Sequence, residues 1–249
     1  MKKNFLVIDT SSTLGLCAVV ENDAAKAQQD SFSVISEKYI NAESSHSEHL
    51  FINIQKALSD AKIAFSQIDT VVYTAGPGSF TGLRIGYSAV KGFTTATAVK
   101  SHGVSTLKAL MYNVREYAGY RVVLIKGSSN EVYALITDNH GNIVLNEGCY
   151  DIGVILEMNR KNYMLGNKII VIGSGALFYK ELLTEGREAV ENIQIPISSF
   201  EEQGLGIPTY DKDLHIVHPL GILSLLEQKN IDDINYLKPS YAELKAMKK

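Results

Sequence analysis

Ala75-Gly76-Pro77-Gly78-Ser79-Phe80-Thr81-Gly82-Leu83-Arg84-Ile85-Gly86 is a glycine turn between two regular elements, and its reading decides the fold. Upstream, residues 68–73 are β-branched and apolar, the signature of a buried strand. Downstream, residues 83–98 are free of proline and rich in short side chains, which predicts a helix. The turn therefore opens a helix, with Ser79 or Thr81 as its N-cap. Its N–H groups form a donor cluster suited either to an anion or to bracing a neighbouring loop. It is neither a Walker loop, since Leu83 and Arg84 follow Gly82, nor a nucleophile elbow, since Pro77 and Thr81 flank Ser79.

A second stretch carries equal weight. Residues 5–8 form an apolar run ending at Asp9, followed by Thr10, Ser11 and Ser12 and then by the apolar run 14–20. Strand, hydroxyl-rich turn and strand make a hairpin in which Asp9 either faces a phosphate or caps its own turn.

The remaining elements read as follows. Strands are predicted at 4–9, 14–21, 31–37 and 69–74, helices at 47–61 and 81–98, and a helix capped by Ser105 runs to about residue 117. Strands at 121–126, 131–138, 142–147 and 168–172 follow, then a helix over about 175–185, an irregular stretch at 196–216 and a last helix over 219–228.

The order of hairpin, strand, His46-Ser47-Glu48 and glycine turn resembles the TsaB (YeaZ) family closely. The matching motifs are Ile-Asp-Thr-Ser at 8–11, His-Ser-Glu at 46–48, the unbroken run 76–86 and Lys91-Gly92. Beyond Gly103 the resemblance is carried by 104–107, 131–133, 173–176 and 239–241, while Lys126-Gly127-Ser128 stands where the family often has Asp-Ala-Arg. The resemblance implies an α/β protein with a two-lobed actin-like (ASKHA, ribonuclease H-like) fold and a reduced second lobe. The expected division is 1–103 and 104–249, with the final helix and tail packing back on the first lobe.

It further implies a non-catalytic subunit of bacterial tRNA threonylcarbamoyladenosine synthesis, one that pairs with and activates TsaD, is joined by the ATPase TsaE, and forms a homodimer in isolation. No catalytic residue and no cofactor are expected. Asp9, Thr10, Ser11, Gly78 and Ser79 are the candidates for weak or interface-bound ATP or ADP. The competing class is enzymatic: a small actin-fold phosphotransferase using Asp9, or a glycoprotease-like peptidase.

Composition fits a cytoplasmic protein, with 249 residues at 45% hydrophobic and 20% charged. No run reaches the roughly 18 apolar residues of a membrane span, and the N-terminus enters a strand directly. Two distant cysteines read as reduced side chains. A net charge of −3 without a basic face disfavours autonomous RNA binding, so tRNA is expected only through the complex.

His46 and His49 lack further ligands for a metal, and where the catalytic paralogue carries His-x-x-x-His this chain reads Thr106 to Asn113 without histidine. Gly173-Ser174-Gly175 follows a strand and opens a helix, so it is either an anion site at its N–H groups or, the preferred reading, a helix–strand packing turn. Apolar residues spread around both the 47–61 and 83–98 helices, more than one sheet face covers. Either the helices are wholly buried within the lobe, or Glu48, Ile52, Tyr87, Val90 and Thr94 meet a partner.

Overall fold

The computed structural model describes residues 2–26, 31–41, 46–164, 166–184, 193–194 and 216–235. Their backbone forms two compact units: Met1–Ala109 with Val217–Asn235, and Leu110–Ile216.

The first unit is built on β1 (Lys2–Asp9), β2 (Leu14–Asp23), β3 (Phe32–Asn41), β4 (Thr70–Gly76) and β5 (Lys100–Ser105) in the order β3-β2-β1-β4-β5. The first three strands are antiparallel neighbours, while β4 and β5 run parallel to β1 because helices carry the chain back between them. Those helices are α1 (His46–Ala61) and α2 (Phe80–Ala96). Leu50, Ile54 and Ala57 from α1 and Ala89 and Val90 from α2 pack on Leu6, Ile8, Cys17, Val19, Val71 and Tyr73 of the sheet. At about 25 cal/mol per Å² of apolar area removed from water, such a layer is the main source of stability. The opposite sheet face is met by α7 (Pro219–Leu223), which packs on β1 to β4.

The second unit repeats this chain path. Its strands β6 (Tyr120–Lys126), β7 (Glu131–Thr137), β8 (Ile143–Asp151), β9 (Ile169–Ile172) and β10 (Ile193–Gln194) take the order β10-β9-β6-β7-β8. Two antiparallel pairings, β6 with β7 and β7 with β8, are again followed by parallel neighbours. Helix α4 (Ile152–Met164) occupies the place of α1, and the short α5 (Ser174–Phe178) and α6 (Lys180–Thr184) that of α2.

Several expected elements differ. Strand β5 goes unrecognised in the sequence because Lys100, Ser101, His102 and Gly103 have no strand composition; backbone pairing with β4 makes it a strand. Helix α4 is hidden by Gly153 and the β-branched Val154. The helix expected over 105–117 shortens to α3 (Thr106–Met111) followed by a 3₁₀ turn at Tyr112–Val114. The one expected over 175–185 breaks at Tyr179. The last helix holds α-geometry over 219–223 and then tightens into i+3 turns as far as Gln228. The stretch 196–215 and the tail after Asn235, including 239–241, lie outside the described residues.

The first unit ends after Ala109 instead of Gly103, since β5 stays in the sheet through the pairing of Ser105 with Gly76, and 217–235 belongs to it as well.

Gly173 lies at φ 93°, and a Cβ there would strike the Leu124 carbonyl; Gly166, at φ 75°, faces open space. Alanine at Gly166 should therefore cost only the left-handed backbone strain of about 1–2 kcal/mol. Alanine at Gly173 should cost clearly more. Urea unfolding of the two variants compares strain with strain plus collision; equal losses would mean that the strand relaxes freely.

Candidate functional site

The β1–β2 hairpin and the start of α2 form one structure. Asp9, at the end of β1, is fully buried. Its Oδ1 accepts hydrogen bonds from the Thr74 hydroxyl at 2.6 Å and the Ser11 N–H at 3.0 Å, while its buried Oδ2 has no hydrogen-bond partner among the described residues. Burial raises the carboxyl above its ordinary value, against the Ser11 and Thr74 hydrogen bonds that favour the ionised form.

The Ser79 N–H donates to the Ser11 carbonyl at 2.7 Å, and the Ser79 hydroxyl caps α2 by accepting from the Gly82 N–H at 3.2 Å. Ser79, not Thr81, is thus the N-cap. A Cβ at Gly78 would collide with the Ser11 carbonyl, one at Gly82 with the Thr10 carbonyl and one at Gly86 with the Thr10 hydroxyl. Three glycines at four-residue intervals let one side of α2 lie directly on Thr10 and Ser11.

The turn therefore braces the hairpin, and two of the N–H groups that an anion would need are engaged within the chain. Asp9, Thr10 and Ser11, expected as nucleotide candidates, are all buried, at 0%, 5% and 4% exposure, because α2 closes on them. Gly78 and Ser79 are half-buried against the same hairpin.

In the second unit Gly173 and Gly175 abut the Leu124 backbone and side chain, which makes that turn a packing device too. The Lys126 ammonium lies 3.5 Å over the Phe178 ring, and the Ser128 hydroxyl donates to Glu131. Among the described residues no group of three or more His, Cys, Asp or Glu is placed to hold a metal ion. Burial pushes the Cys17 thiol up to about 12, far from a reactive thiolate.

Around α2 the expected contact residues separate. Val90 is fully buried in the first unit's core, which corrects its assignment to a partner seam: its side of the helix faces the sheet. Tyr87 is half-buried and donates its hydroxyl to the Asp232 carbonyl at 3.1 Å. Thr94 is half-buried and turns its hydroxyl to the Lys91 carbonyl. Ile52 is exposed at 45%. Glu48 belongs to α1, and its side chain, like that of His46, lies outside the described residues.

Beyond the expected contact residues, the structure gathers others from the two apolar helices into one groove, including Ala89 and Gly92, whose small size allows close helix approach. Phe51, Phe80, Ile85, Ala89, Gly92 and Phe93 line a cavity of about 570 Å³ along α1 and α2. Phe51 and Phe80 stay 47% and 48% exposed, and the Arg84 guanidinium stacks 3.8 Å over the Phe80 ring. The available signal was an aromatic residue off the inward stripe of each neighbouring helix. Among the described residues no helix is long and apolar enough to cross a membrane.

Comparison with known proteins matches residues 34–188 to the family described as TsaD: tRNA N6-adenosine threonylcarbamoyltransferase. The chain is 29% identical over 129 residues to the tRNA threonylcarbamoyladenosine biosynthesis protein TsaB of Bacillus subtilis (strain 168), covering 51% of this chain and 52% of that one. An uncharacterized protein of Mycobacterium leprae is 34% identical over 128 residues, covering 51% of this chain and 33% of that one. The chain thus spans a third to about half the length of these curated relatives.

Among solved structures, a Pseudomonas aeruginosa protein with similarity to peptidase YeaZ superposes with a TM-score of 0.61 at 19% identity, over 95% of this chain and 100% of that one. YeaZ from the same organism gives 0.56 at 20% identity, over 90% of each chain. At these identities the two structures establish the shared actin-like α/β fold.

The raised Asp9 carboxyl sets a pH dependence. Its favourable contribution to folding is fully present below the ordinary carboxylate value and is lost as pH rises through the raised value. Asp9→Asn, which is neutral throughout, should therefore gain stability relative to the parent as pH climbs from about 4 to about 8. Denaturant midpoints at the two ends test this, and a difference that does not change with pH would count against a buried, destabilised carboxylate.

Proposed function

The chain belongs to the TsaD (tRNA N6-adenosine threonylcarbamoyltransferase) family and, within it, to the TsaB (YeaZ) group; from that premise we propose a non-catalytic subunit in the synthesis of threonylcarbamoyladenosine on tRNA. It acts by association. The α1–α2 groove receives a catalytic TsaD, TsaE joins the pair, and tRNA is bound through the complex.

One observation carries the association reading: Gly92. A glycine inside a helix costs about 1 kcal/mol relative to alanine. Gly82 and Gly86 offset that cost by letting α2 reach Thr10, but a Cβ at Gly92 would meet nothing within 4 Å. No contact within the described residues asks for glycine there. A partner helix lying close along the groove does, and the exposed Phe51 and Phe80 that line it give that helix an apolar seam to bury, with the exposed Ile52 next to Phe51 in α1.

The same residues argue against chemistry in this chain. Asp9, Thr10 and Ser11 are packed out of solvent behind α2, where a nucleotide would have to displace the helix to touch them. The net charge of −3 denies the chain the phosphate-neutralising term of independent tRNA binding.

Gly92→Ala is the discriminating variant. It should unfold at higher denaturant, by up to about 1 kcal/mol, and yet bind the catalytic paralogue more weakly. Ile52→Asp should stay folded by circular dichroism and lose the partner in pull-down, with tRNA modification lost in cells. Gly92→Ala that is stabilised and associates as before would return the groove to ordinary surface. The protein purified alone should show no ATPase, peptidase or threonylcarbamoyl-transfer turnover; turnover abolished by Asp9→Ala would overturn the non-catalytic reading.

A further inference from the structure

Residues 230–235 run as a strap over the β4–β5 side of the first unit, and the strap is built in from both sides. The Asn230 amide oxygen accepts from the Gly103 N–H at 2.7 Å, and the Ile231 N–H returns a hydrogen bond to the Gly103 carbonyl at 3.0 Å. The Tyr73 hydroxyl donates to the Ile231 carbonyl at 3.0 Å, the Tyr87 hydroxyl to the Asp232 carbonyl at 3.1 Å, and the Asn235 N–H to the Ala75 carbonyl at 2.7 Å. Two glycines make room: a Cβ at Gly103 would meet the Ile231 carbonyl, and one at Gly76 the Asn235 carbonyl.

What holds the strap is mostly polar. Ile231 packs against the hydrophobic core, while Asp232 and Asp233 are exposed. The hydrogen bonds from Gly103 and Tyr73 to the strap are part-buried and that from Tyr87 is exposed, and each contributes modestly to net stability, whereas the layer of α1 and α2 on the sheet is apolar and buried. A segment so constituted opens at a free energy well below that of global unfolding.

Tyr87 ties this strap to α2. Its ring lies 6.2 Å from that of Tyr73, Lys91 sits 5.1 Å over it, and its hydroxyl reaches the strap from the helix that also lines the groove. We infer that residues 230–235 are a clasp that opens without unfolding the first unit, and whose closure holds the C-terminal half of α2 in the position that presents the groove. Tyr87 is then a positioning residue: it acts through the strap, not by touching a partner. The effect on binding rests on the association reading above; the effect on α2 does not.

Amide hydrogen exchange on the full chain tests the clasp, with Asn230→Ala and Tyr87→Phe each removing one of its hydrogen bonds. Protection of the Gly103, Ile231 and Asn235 amides and of the α2 amides at 91–96 should fall about fivefold. Protection of Leu6 and Val7 in the central strand β1 should not change. Affinity for the purified catalytic paralogue should weaken by a similar factor. Unchanged protection at 103, 231 and 235 would make the strap an integral part of the core, and loss there with α2 unaffected would break the linkage; either result overturns the inference. Looser α2 amides with affinity unchanged would overturn the effect on the groove. If the parent chain does not bind the paralogue at all, the association reading fails while the α2 amides still decide the clasp.

Discussion

The seam in which Gly78, Gly82 and Gly86 lie on Thr10 and Ser11 is the contact on which the first unit depends. It joins the first hairpin to a helix that begins some seventy residues later. Any side chain larger than hydrogen in that seam would lift α2 from the sheet and take Ala89 and Val90 with it. The same approach closes Asp9 from water and engages the Ser79 and Gly82 N–H groups. An arrangement that elsewhere suits a phosphate is here consumed by packing.

A repeated chain path explains why so much of the second unit follows the first. Hairpin, third strand, helix, parallel strand and glycine turn recur, and in both units the glycine turn opens a helix that lies on backbone of the unit's first strand or hairpin. The details diverge in a way that follows composition. The first unit carries helices of 16 and 17 residues on one face of its sheet, whereas the second follows its glycine turn with two helices of five residues each. Ridge-into-groove packing along a long helix pair requires length. Only the first unit has it on both helices, and the apolar groove lies there.

Much of this was legible in the sequence, and the rest was hidden for identifiable reasons. The glycine turn and the Asp9 hairpin are local signals, and their residue types state their conformations. That Gly82 faces Thr10 is a long-range fact that no window of sequence contains. Strand β5 is polar and carries a glycine, so only its neighbour β4 and the strap across Gly103 make sense of it. Val90 and Ile52 are both β-branched residues on apolar helices; which way each points depends on the rotation of its own helix, and for Val90 the glycine seam sets the rotation of α2. Phe51 was legible as an off-stripe aromatic, but its meeting with Phe93, at a ring separation of 6.0 Å, required the helices side by side.

Helix α2 is thus divided around its circumference. Gly82 and Gly86 serve the hairpin, Leu83 and Val90 the interior, Tyr87 the strap, and Phe80, Ser88 and Gly92 the groove. Three of those sectors satisfy one another within the chain. The fourth combines exposed aromatic surface with a helix-weakening glycine, two features that each raise the free energy of an isolated subunit. A second helix along the groove, as proposed, would relieve both costs together, because the approach that Gly92 permits would also bury Phe51 and Phe80. In the association proposed above, this sector of α2 is half of an interface, and the other three sectors are the framework that keeps it in place.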